Sequence, residues 1–224
     1  VGRAGPGATA EGDRPCDRGI VIRALLDPSP DMLLAKRLVD QHGVEGARRI
    51  VAEACARLTV VELAALAEHW PFWARPKQMP PNECRSWGHL TSRGWGKTST
   101  CTKYITREVM QGRARRIGLA AQNELKTLAV QVEGLISAAP PWFRPEWEVT
   151  KMCLTWPNGA VALAYSPEAP GIIRSENFDL AWLSELQSWP TATMEEAMSN
   201  FAFATRVGYA RTVWDATPKK RHPL

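Results

Sequence analysis

A lysine and a threonine placed after a glycine-containing turn are suited to holding phosphate. Residues 91–98 read Thr91-Ser92-Arg93-Gly94-Trp95-Gly96-Lys97-Thr98. Gly94 and Gly96 let backbone N–H groups point at phosphate oxygens, and the start of a following helix favours negative charge there. In that reading Lys97 reaches the outer phosphates of a nucleoside triphosphate and the Thr98 hydroxyl ligates Mg²⁺. Trp95 and Ser99 belong to the same cradle. The general pattern is glycine, four residues, then Gly-Lys-Ser/Thr, and its first glycine falls here on Thr91. A plain strand-to-helix turn followed by a surface lysine stays open as the other reading.

Such a loop needs a strand to deliver it and a helix to receive it. Residues 87–90 form a short candidate strand before the turn, and a helix is predicted from Lys97 to about Met110. Further strands are predicted at 116–121, 178–183 and 210–214, with helices at 124–136 and 194–204. Residues 152–156 and 160–165 flank Pro157-Asn158-Gly159, and Asn-Gly is a strong hairpin turn signal. Strands alternating with helices imply βαβ units and a largely parallel sheet. Upstream, apolar spacing over 31–69 suits three helices, the last capped by Thr59. Residues 1 to about 28, rich in Gly, Pro, Arg and Asp, read as a flexible tail.

Composition sets the frame. The chain has 224 residues, 45% hydrophobic and 23% charged, ordinary proportions for a folded α/β domain with a small appendage. The net charge of +5 is compatible with a polyanionic partner. Cys16, Cys55, Cys84, Cys101 and Cys153 form no CxxC pair, which argues against a zinc site or a disulfide framework. No apolar run is long enough to span a bilayer, so no membrane partner is expected and a soluble, intracellular chain is.

Several segments together resemble the ATPase half of bacteriophage terminase large subunits. Trp73-Ala74-Arg75-Pro76-Lys77-Gln78-Met79-Pro80-Pro81 is similar to the run that precedes the phosphate loop in that family. The resemblance implies that Gln78 reads the adenine edge, with Arg75 or Trp73 beside the base. Arg93 matches the arginine such loops carry. Residues 173–186 resemble the segment leading into the second acidic motif, an apolar strand ending in Asp-Glu. Glu185 falls in the catalytic glutamate position, which activates water. Ser184 falls where the metal-holding aspartate is expected and brings no charge to Mg²⁺. Asp179 lies at the other end of that strand and is not expected to substitute. Arg174 matches the arginine finger that completes a neighbour's site. Val213-Trp214-Asp215-Ala216-Thr217-Pro218-Lys219 resembles the coupling motif, in which Thr217 senses the outermost phosphate.

The resulting expectation is an α/β fold, a three-layer P-loop NTPase of the RecA-like ASCE type with a mainly parallel central sheet. A flexible tail is expected over 1–28, a small helical appendage over 29–70 and the ATPase domain over 71–224, without the nuclease domain that follows in the family. The resemblance implies ATP and Mg²⁺ as cofactors and double-stranded DNA, a portal protein and the terminase small subunit as partners. It also implies a homo-oligomeric ring on the portal, in the host cytoplasm. Two other readings remain: a nucleotide-binding module impaired in hydrolysis by Thr91 and Ser184, and another P-loop motor such as a helicase.

Overall fold

The computed structural model describes residues 31–81 and 83–218, the side chains of residues 31–37, 72 and 73 excepted. The expected tail and Lys219 lie outside the described residues, as does the side chain of Trp73. The chain divides into two compact units, residues 1–73 and 74–224.

The first unit is helical: α1 (Asp31–Cys55), α2 (Val60–Glu68) and the single turn α3 (Trp70–Trp73). The two helices expected before Thr59 are both present within α1, on either side of a kink at the non-helical backbone of Gly43. Thr59 caps α2 with a capping box: its side chain accepts the Glu62 N–H, and the Glu62 carboxylate accepts the Thr59 N–H at 2.7 Å. Two otherwise unpaired donors are satisfied in this way.

The second unit is built on one seven-stranded sheet. Its elements are β1 (Ser86–Leu90), α4 (Lys97–Met110), β2 (Arg116–Ala120), α5 (Glu124–Lys126), α6 (Glu133–Ala138), β3 (Glu146–Glu148), β4 (Cys153–Thr155), β5 (Val161–Tyr165), β6 (Leu180–Leu183), α7 (Thr191–Ala204) and β7 (Arg211–Ala216). The spatial order is β1-β7-β6-β2-β5-β4-β3. Strands β1, β7, β6, β2 and β5 run parallel, while β4 pairs antiparallel with β5 and β3 antiparallel with β4. The Asn158-Gly159 hairpin joins β4 to β5 as its turn signal predicts. Strand β3 is an addition to the expected set; Glu146 and Glu148 lend it no apolar face. Between α5 and α6 the helix widens to a π-helical stretch, Thr127–Val132, which 3.6-residue periodicity does not reveal.

Helices cover both faces of the sheet. On one side Phe178, Trp189, Ala197, Phe201 and Ala204 pack with Ala120, Ala181, Leu183 and Ala216. On the other, Tyr104 of α4 meets the Trp87 ring edge-on at 5.2 Å. Every residue of β6 is buried, as expected of a central strand covered on both faces. Two consequences of the strand order bear on the phosphate loop. The last strand, β7, lies between the strand that delivers the loop and the buried strand β6. In register, His89 of β1 pairs with Asp215 of β7, and Leu183 pairs with Trp214, which sets Ser184 beside Asp215.

Candidate functional site

The loop predicted to cradle phosphate has the required backbone. Gly94 (φ 79°) and Gly96 (φ 93°) are left-handed, a conformation open to glycine and strained for a residue with a Cβ. Gly96 is the N-cap of α4. The loop start is tied to the inserted strand, because the Thr91 N–H donates to the Ala216 carbonyl at 3.2 Å. Thr91, in place of the leading glycine, lies outside the left-handed positions, so the loop closes without it.

Lys97 is nearly buried, at 7% exposure. Its ammonium donates to the carbonyls of Thr91 at 3.2 Å and Ser92 at 3.4 Å, and to the Thr217 hydroxyl at 2.9 Å. It also lies 3.9 Å from the Glu185 carboxylate. Thr217 Oγ1 is 3.3 Å from both Glu185 oxygens. Residues from three separate stretches of chain therefore meet at the carboxyl ends of β1, β6 and β7. Gln187 adds a link that the sequence does not announce. Its amide nitrogen donates to Glu185, and its amide oxygen accepts the Thr217 N–H at 2.9 Å.

Glu185 adopts a left-handed backbone, φ 52° and ψ 48°, which costs about 1–2 kcal/mol for a non-glycine residue. Its N–H donates to Asp215 Oδ1 at 3.1 Å. A hydrogen bond to a charged group contributes about 1.5–3 kcal/mol, enough to offset that strain and to hold the glutamate where its side chain faces Lys97 and Thr217.

Thr98, Ser99 and Arg93 are exposed on the loop and the first turn of α4. Ser184 is 1% exposed, and its hydroxyl donates to Asp215. Upstream of β1, the Arg75 guanidinium donates to the Trp95 carbonyl and lies over the Trp95 ring, 5.2 Å from its centroid. Gln78 accepts from Arg75 Nε at 3.2 Å and donates to Thr100 at 2.9 Å. This pair thus abuts the phosphate loop, next to Gly96. Below, His89 sits between the rings of Trp87 and Trp95. Burial, then the Lys97 charge, lowers its pKa to about 4, so it is neutral at neutral pH and adds no competing cation.

Two residues lie apart from this convergence. Arg174 donates to Asn200 at 3.1 Å and pairs with Glu196 at 3.7 Å, which tethers its 3₁₀ turn to α7. Asp179 accepts the N–H groups of Arg115 and Arg116 at 2.8 and 2.9 Å, at the opposite ends of the strands. Among the described residues no group of three or more His, Cys, Asp or Glu could hold a metal. The oxygens of Thr98, Ser184 and Asp215 are nonetheless hard donors of the kind Mg²⁺ takes, and Mg²⁺ keeps several waters.

A mainly parallel sheet covered on both faces, with a lysine-bearing glycine loop between its edge strand and a helix, gives an α/β fold like that of the P-loop NTPases. Among solved structures, the chain is similar to the large terminase of a thermophilic bacteriophage. The superposition has a TM-score of 0.51 and 13% identity, and covers 69% of this chain and 38% of that one. It is also similar, at a TM-score of 0.44 and 15% identity over 62% of each chain, to the large terminase ATPase domain of Thermus phage P74-26. At these identities the likeness is one of fold, and the chain spans well under half the length of the first of these terminases. No protein-family model and no curated protein matches the sequence.

Proposed function

We propose that this chain is a nucleotide-hydrolysing engine of a terminase-like motor, coupling ATP hydrolysis to movement of double-stranded DNA into a viral capsid. One observation carries the reading: Lys97, Glu185 and Thr217, far apart in sequence, converge within hydrogen-bond or ion-pair distance. In this reading Lys97 and the loop N–H groups hold the β- and γ-phosphates, with Arg93 beside them. Glu185 accepts the proton of the attacking water and orients it in line with the outermost phosphorus. Thr98 and the Ser184 side of the site would hold Mg²⁺, which would supply charge neutralisation to the phosphates. Thr217 exchanges its contact with Lys97 for one with the γ-phosphate and so reports the nucleotide state to the strand that bears it. Gln78 and Arg75, which contact Thr100 and Trp95 beside the loop, meet the adenine in this reading. The portal protein, the terminase small subunit and a homo-oligomeric ring in the host cytoplasm complete the proposal.

The test is Mg²⁺-dependent ATP hydrolysis over a range of protein concentrations, beside Lys97→Ala and Glu185→Ala. Turnover lost in both variants supports the reading. Turnover no higher than theirs at saturating ATP rejects it in favour of a nucleotide-binding module, which the neutral Ser184 favours.

A further inference from the structure

Asp215 is a buried carboxylate beside the convergence, and the nucleotide reading leaves it without a chemical role. It is 1% exposed. It accepts the Trp182 indole N–H at 2.9 Å, the Glu185 N–H at 3.1 Å and the Ser184 hydroxyl. All three donors are neutral, and no ion pair reaches Asp215 among the described residues. Lys97 spends its contacts on Thr91, Ser92, Thr217 and Glu185. A carboxylate buried without a cation is costly.

The position of that charge is informative. Asp215 occupies the same row of the sheet as Ser184, one strand nearer the phosphate loop. Its field reaches Cys101, whose thiol is pushed well up by burial and then by Asp215. Cys101 lies one helical turn after Lys97 and Thr98 on α4.

Resting on the nucleotide reading above, we infer that Asp215 supplies, from the inserted strand, the buried negative charge toward Mg²⁺ that Ser184 lacks. The metal-facing carboxylate has moved sideways by one strand, and Ser184 serves as the hydroxyl between it and the site. The same carboxylate fixes the Glu185 backbone, so metal charge and water activation share one anchor.

The measurement is the ratio of MANT-ADP dissociation constants without and with Mg²⁺, for the full chain and for Asp215→Asn. The ratio cancels any structural loss common to both conditions. The ratio in Asp215→Asn is expected to fall about 10- to 100-fold, the usual consequence of removing a partner of a metal site. A folded Asp215→Asn that keeps the wild-type ratio overturns the inference, as does a wild-type chain whose ADP binding is indifferent to Mg²⁺. A wild-type chain that binds no MANT-ADP in either condition rejects the nucleotide reading itself. Should the variant not fold, Fe²⁺ substituted for Mg²⁺ in the wild-type chain with ADP and ascorbate decides. Oxidative backbone cleavage at 213–217 as well as near Thr98 supports Asp215; cleavage confined to the phosphate loop refutes it.

Discussion

Thr217 illustrates how much of this site is decided by single hydroxyls and carboxylates. Its Oγ1 accepts a hydrogen bond from Lys97 and touches both oxygens of Glu185, so in the proposed function it would be the pivot between phosphate binding and water activation. Thr217→Val keeps the shape and removes the hydroxyl; Thr217→Ser keeps the hydroxyl. Single-turnover ATP hydrolysis is expected to fall roughly 10- to 100-fold in Thr217→Val, the equivalent of about 1.5–3 kcal/mol for a hydrogen bond to a charged group. Thr217→Ser is expected to stay within a few-fold of wild type. Equal losses in both would mean that the methyl packing, and not the hydroxyl, is what matters. Lys97, Gly94 and Gly96 are legible from sequence because each bears a local requirement: a charge, or a positive φ. Gln187 and Asp215 are not, because their roles consist wholly of contacts across strands.

At the level of elements, the placement of β7 between β1 and β6 governs the site, and that strand is pinned at its far end. Glu108 of α4 is buried and pairs with Arg113 in the turn after the helix and with Arg211, the first residue of β7. Burial pushes the Glu108 pKa up, but the hydrogen bonds and charges of the two arginines more than offset this and hold it below the usual carboxylate value. A carboxylate lowered in the folded state contributes stability above its unfolded pKa and loses it as pH falls through the folded value. Chemical denaturation should therefore show this contribution at neutral pH, disappearing below about pH 4. Glu108→Ala leaves Arg211 partly buried without its carboxylate and is expected to cost about 3 kcal/mol at pH 7, and much less under acid. A uniform loss across pH would point to packing, not charge, as the source. Most of the elements are legible in the sequence, with small shifts at their ends. Their periods and turn residues act locally; the widened turn at Thr127–Val132 and the polar strand β3 have no such local signature.

For the whole molecule, the open question is what completes the site. Arg174 does not approach Lys97 or Glu185 within one chain; it is held by Asn200 and Glu196 on α7. An arginine acting across subunits predicts complementation. Arg174→Ala and Glu185→Ala should each be inactive alone, and their mixture should regain part of the wild-type turnover at interfaces that pair an intact Arg174 with an intact Glu185. No recovery on mixing, at concentrations where the wild type shows more than proportional turnover, would leave Arg174 as the tether of its 3₁₀ turn and nothing more. Among the described residues no helix is long and apolar enough to cross a membrane.

The sequence alone determined the glycine loop before α4, the alternation of strands and helices, the Thr59 cap and the hairpin. Each rests on interactions between residues a few positions apart, where spacing and type fully state the requirement. The order of the strands was decided only in the tertiary structure, because parallel pairing joins segments separated by most of the chain and leaves no local mark. That order brings Thr217 to Lys97 and sets Asp215 beside Ser184. A serine that reads in sequence as a lost carboxylate therefore stands, in three dimensions, next to another one.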